Sequence, residues 1–261
     1  GSAVFGRVMP GTARVTGAVD DVVGQALDQS LLRLSGDTAF LRAVAAPRAD
    51  PDAGRVPRFV RPLPPGRQII VLTVDDQHPA SDSGIVGRMA AGIVTLRGPA
   101  NVSGTAFVLT RDGLAIAAAR SVRRARHLRV RFQNGVERPV RVVRSHSGLD
   151  VALVQIACPG ECETVDWETP SGVDVATNVV AVGAPATDNA PAFVAFGRIG
   201  GRWGIANGLT VQGFQDLVVG GEPVARTTSG KVFGMVSARP GRLTVLTLAE
   251  VLSVLNVRLE N

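Results

Sequence analysis

The stretch Gly104-Thr-Ala-Phe-Val-Leu-Thr-Arg-Asp-Gly-Leu-Ala-Ile-Ala117 holds two short apolar runs parted by the turn-forming Thr110-Arg-Asp-Gly113. Each run is too short for a stable helix, and Asp-Gly supplies the backbone freedom that a chain reversal needs, so the pair reads as two neighbouring antiparallel strands. The same texture extends outward, with Val, Ile and Thr runs broken by Gly, Pro, Asn or Asp about every 8–12 residues. Residues 91–97, 127–132, 138–143 and 151–156 complete a first set of six strands, enough to close one barrel. Residues 178–182, 192–196, 208–212, 223–225, 232–236 and 243–246 form a second set, and 248–259 carries apolar residues at helical spacing. The fold expected is all-β: two six-stranded antiparallel β-barrels with an N-terminal helical arm and a C-terminal helix.

The composition agrees with that reading. The 261 residues are 45% hydrophobic but only 4% aromatic, with no Tyr, so small and β-branched side chains must fill the core. A chain of this length buries roughly 70–75% of its unfolded surface, which excludes disorder throughout. No apolar run reaches the ~18 residues of a membrane-spanning helix, and the first residues lack the basic-then-apolar order of a signal peptide. The opening Gly1-Ser2 has the character of a cleavage scar, so a leader ahead of residue 1 is expected.

The N-terminal third differs from the rest. Val19, Val22, Val23, Leu27, Leu31 and Leu32 recur at spacings near three and four, which predicts an amphipathic helix within 15–46, with Asp20 and Asp21 at its favoured end. Its apolar stripe needs a surface to pack on, and docking against a second copy of the chain, giving a homo-oligomer, is the expectation. A Pro-rich linker follows over 47–66, then a strand over 68–74. Residues 1–83 are therefore set apart as an arm and linker, and 84–261 as the barrel domain.

Two features bear on chemistry without naming an activity. Cys158 and Cys162 flank Pro-Gly-Glu with no further Cys and no nearby His, which leaves no ligand set for a metal. They form either a local disulfide, in an oxidising compartment, or two free thiols. The net charge of +6 comes from 28 basic residues of which Lys231 is the one lysine, and nine arginines fall within residues 120–144. Arg123, Arg124, Arg126, Arg129, Arg131 and Arg141 form a candidate face for an anionic polymer, against the simpler reading of a solvated barrel surface. With Phe132 the one ring nearby, stacking on single-stranded nucleic acid is not indicated.

The order of motifs resembles the trypsin-like serine proteases, in particular the HtrA/Deg branch. Ser103-Gly-Thr-Ala-Phe-Val-Leu-Thr-Arg-Asp-Gly113 is similar to that family's Gly-x-Gly-Phe-Val-Ile-x-x-Asp-Gly motif. Val142-Val-Arg-Ser-His-Ser-Gly-Leu-Asp-Val-Ala-Leu-Val-Gln-Ile156 resembles the stretch around the catalytic Asp and places Asp150 on it, and Val182-Gly-Ala-Pro185 resembles the opening of the second barrel. The resemblance covers about residues 84–259. It implies a trypsin-like double barrel and an envelope, periplasmic or secreted location.

It also implies positions for a catalytic triad, and two of them hold other residues. Ile116-Ala-Ala-Ala-Arg-Ser-Val122 puts Arg120 at the histidine position, and a guanidinium is no general base at neutral pH. Val218-Val-Gly-Gly-Glu-Pro223 puts Gly220 at the nucleophile and Val218 at the first glycine of the oxyanion loop. Asp150 remains, with Arg120 as its natural ion-pair partner. His78, His127 and His146 suggest surface or linker roles. The expectation is a chain that is not an enzyme, needs no cofactor or metal, and works as a protein-binding, scaffolding or regulatory module. An active serine endopeptidase with a non-standard site, and an envelope protein binding anionic polymers, are the alternatives.

Overall fold

The structure, a computed structural model, describes residues 59, 68–73, 77, 84–98, 103–123, 127–158, 161–184, 192–203, 208–214, 220–239 and 242–260. The chain divides into two units, Gly1–Ala49 and Asp50–Asn261, and every described residue belongs to the second. The helix expected within 15–46 and its docking therefore lie outside the described residues.

Strand β1 (Ile70–Thr73) precedes helix α1 (Ile85–Ala91), which leads into β2 (Ile93–Arg97), β3 (Ser103–Val108) and β4 (Leu114–Ala117). A single-turn helix α2 (Ala119–Val122) follows, then β5 (Arg129–Arg131), β6 (Glu137–His146) and β7 (Val151–Ile156). The second half runs β8 (Asn178–Gly183), β9 (Phe193–Trp203), β10 (Gly208–Gln212), β11 (Pro223–Arg226), β12 (Val232–Arg239) and β13 (Arg242–Thr247), then α3 (Leu248–Val254) and β14 (Val257–Glu260). Strands close into one barrel in the order β2-β3-β4-β7-β6-β5 and into a second in the order β10-β13-β12-β11-β8-β9. Every pairing within them is antiparallel.

The strands show why the chain lacks clean polar alternation. Along β4, Ala115 and Ala117 fill the first barrel while Leu114 and Ile116 point outward into a core shared with the second. Strand β7 repeats this, with Ala152, Val154 and Ile156 inside and Val151 and Leu153 outside, and β8 does the same with Val179 and Ala181 inside and Val180 and Val182 outside. Both faces are apolar because both are buried, one inside its barrel and the other in the shared core.

Besides the single-turn helix α2, which was also not expected, three elements depart from the sequence reading. Helix α1 was not expected: its seven residues are mostly β-branched or small, and it is held by burying Met89 against the shared core. The C-terminal helix stops at Val254 instead of reaching 259, because Asn256 turns the backbone to φ 54, a conformation Asn tolerates, and the chain re-enters as β14. Val257 and Leu259 fit either period, which is why helical spacing misled. Strand β14 then pairs in parallel with β1, so residues ahead of 84 form part of the folded unit.

The cleft between the barrels

Asp150 ends the turn that joins β6 to β7 and is held at φ 58, within the left-handed region that short polar side chains tolerate. That backbone aims its carboxylate at the start of α2. Ala119 donates its N–H to the Asp150 carbonyl at 3.1 Å, and Arg120 donates its N–H to Asp150 Oδ1 at 2.8 Å. The Arg120 guanidinium folds back over the same carboxylate, with Nη1 2.9 Å from Oδ2. Nη1 also donates to the main-chain carbonyl of Ala238 on β12. One arginine thus ties the first barrel to the second. The ion pair is uneven in exposure, since the Asp150 side chain is 11% exposed and the Arg120 side chain 40%.

Gly220 closes the other side. At φ 96, with no Cβ, it lets the guanidinium lie against its Cα, and a side chain there would come under 3.0 Å from Arg120 Nη2. Gly221, at φ 100, seats the turn across the first barrel, beside the Thr105 carbonyl and the Ala118 N–H. Glu222, fully buried, turns its carboxylate back so that Oε2 accepts the Gly220 N–H at 2.8 Å. The structure thus brings Arg120, Asp150 and Gly220 together, while Val218, Arg124 and Arg126 lie outside the described residues.

Ser121 is buried beneath Gly104, and Ser237 donates its Oγ–H to the Leu149 carbonyl at 3.1 Å. His146 Nδ1 accepts the Leu149 N–H at 3.1 Å, on the exposed turn. Cys158 and Cys162 are joined by a disulfide, their Cα atoms 6.0 Å apart. On the arginine-rich barrel face, Arg129 pairs with Glu137 at 3.1 Å, and Arg141 donates to Gln155 Oε1 at 3.1 and 2.6 Å while stacking over the Phe59 ring. Arg123 is exposed at the end of α2, and Arg131 is half-buried on β5.

A family model described as trypsin-like peptidase domain matches residues 104–243, more than half of the chain. The chain belongs to the trypsin-like peptidase domain family. A comparison with curated proteins returned no match. Membership overturns the expectation that the chain is not an enzyme, because the family is one of peptidase domains and points to a protease. That expectation rested on the residues read at three motif positions, Arg120, Val218 and Gly220, and such a reading does not outweigh a match across both barrels of this trypsin-like domain.

Two participants escaped the sequence reading. The Ala238 carbonyl is a main-chain group and leaves no residue signature. Glu222 left only its charge: a glutamate between Gly221 and Pro223 carries no sign in the sequence of the burial the structure gives it.

Proposed function

We propose that this trypsin-like domain binds protein, holding an extended polypeptide along the cleft between its barrels, and that it acts as a scaffolding or regulatory module of the cell envelope, within the HtrA/Deg branch. The observation that carries the reading is Arg120. Its guanidinium already donates to a peptide carbonyl and is ion-paired with a carboxylate, and two-fifths of the side chain faces solvent. A guanidinium has five N–H donors in a planar fork and accepts nothing, so its partners are carbonyl and carboxylate oxygens, which a polypeptide supplies along its length. The Cys158–Cys162 disulfide supports an oxidising location.

Labelled extended peptides titrated into the protein and into Arg120→Ala test this. Saturable binding that weakens by roughly tenfold or more in the variant, the value of one charge-assisted hydrogen bond, supports the reading. Equal binding by both proteins, or none, overturns it. A second reading, hydrolysis of the bound chain, is favoured by the peptidase-family match. Quenched fluorogenic peptides read it directly: cleavage abolished by replacing one serine supports it, and intact peptides after prolonged incubation count against it.

A further inference from the structure

We infer that the Gly220–Gly221 turn, together with Arg120, is a carboxylate-binding cradle that the chain fills with its own Glu222. A carboxylate removed from water is costly unless donors are arranged for it. Glu222 is fully buried, and its Oε2 accepts the Gly220 N–H at 2.8 Å. That N–H points inward from a turn in which Gly220 and Gly221 both take positive φ, a conformation that L side chains rarely adopt. The Arg120 guanidinium lies against Gly220, so positive charge adjoins the same turn.

The cradle does not owe its shape to the side chain it holds. Gly221 donates to the Val236 carbonyl at 2.8 Å, and Val236 donates to the Glu222 carbonyl at 2.9 Å, so main-chain pairing to β12 fixes the turn where it leads into β11. A main-chain N–H preorganised in this way, with a guanidinium beside it, can donate to any carboxylate that fits. The external ligand class is therefore a carboxylate, from a small monocarboxylate or from the free C-terminus of a polypeptide, and Glu222 keeps it out until it swings clear. The inference goes beyond polypeptide binding along the cleft and is read without a peptide.

The test excises the internal ligand and supplies it from outside. Glu222→Ala removes the equivalent of acetate, so the variant should melt below the parent protein and recover by roughly 5 °C when acetate replaces chloride at equal ionic strength. The parent protein, already filled, should not respond, nor should Glu222→Gln, which keeps an acceptor oxygen in place. Short peptides with a free C-terminus, compared with their amides, then distinguish a chain end from a small anion: stabilisation of Glu222→Ala by the acid alone assigns the site to chain ends, and by acetate alone to small anions. If Glu222→Ala does not fold on expression, refolding from urea is compared in acetate and in chloride, and recovery in acetate alone supports the cradle. Equal melting in both salts, an equal acetate response in the parent or in Glu222→Gln, or no refolding in either salt overturns it.

Discussion

Gly220 and Arg120 occupy overlapping space, so their substitutions should not add. Gly220→Ala brings two penalties. The first is local: at φ 96 a Cβ is strained by ~1–2 kcal/mol whatever surrounds it. The second is shared: the new Cβ would come under 3.0 Å from Arg120 Nη2 and 3.1 Å from the Ala238 N atom, so the guanidinium must leave and its contacts with Asp150 and Ala238 are lost. Breaking a fully buried ion pair costs about 3–5 kcal/mol, and an exposed pair contributes under about 1 kcal/mol. This one lies between them. The Arg120 side chain is 40% exposed, and Asp150 Oδ1 keeps the main-chain N–H of residue 120 after the guanidinium is gone. A value of about 1–2 kcal/mol follows for Arg120→Ala, below the fully buried range. Gly220→Ala should then cost ~2–4 kcal/mol in the parent protein but only ~1–2 kcal/mol in the Arg120→Ala background, where the clash has been removed.

The assay is a double-mutant cycle by urea denaturation of the parent, the two single variants and the double variant. The expected coupling is ~1–2 kcal/mol, with the double variant more stable than the sum of the singles. In a domain of this size that is about 2–8 °C in Tm. Additivity within about 0.5 kcal/mol would refute the shared-space argument, because residues without a common contact add to that precision.

Three further outcomes are expected. Replacing Cys158 and Cys162 by Ser should lower stability by at most ~2 kcal/mol, since the closed loop is short and little chain entropy is restored; a loss well above that in urea denaturation would contradict this. Thr247→Ala should cost ~1 kcal/mol in chemical denaturation, because Thr247 Oγ1 accepts the Glu250 N–H at 3.3 Å and Glu250 Oε2 accepts the Thr247 N–H at 2.8 Å, a reciprocal cap on α3. Arg144→Met should expose the β1–β14 pair to local opening, seen as faster amide exchange at residues 70–73 and 257–260 with the barrel strands unchanged, because Arg144 Nη1 binds the Leu255 and Asn256 carbonyls at 2.8 Å each and Nη2 binds Gln68.

How far the sequence reaches into this molecule depends on how each feature is encoded. Barrel strands are encoded in side chains: Leu114-Ala-Ile-Ala117 and Val151-Ala-Leu-Val-Gln-Ile156 are apolar on both faces but for Gln155, a pattern that has meaning where one face fills a barrel and the other packs on the shared core. The short helices are weakly encoded, because seven residues contain barely two turns; α3 could have been bounded by its Thr-x-x-Glu cap and by Asn256, whereas α1 has no capping side chain to reveal it. The cleft is encoded unevenly. Arg120 and Asp150 are visible because charged side chains 30 positions apart fall on motif positions, and Gly220 because a glycine there departs from the resembled segment. The Ala238 carbonyl is invisible, since every residue has one and only the closure of β12 against the first barrel selects it. Glu222 falls between these cases. Its charge is plain in the sequence, but its burial is a property of the turn that two positive-φ glycines build, and without that geometry a glutamate beside Pro223 reads as an ordinary surface residue. What the sequence left unread is thus concentrated where main-chain atoms act as donors and acceptors, and that is where the Glu222 cradle lies.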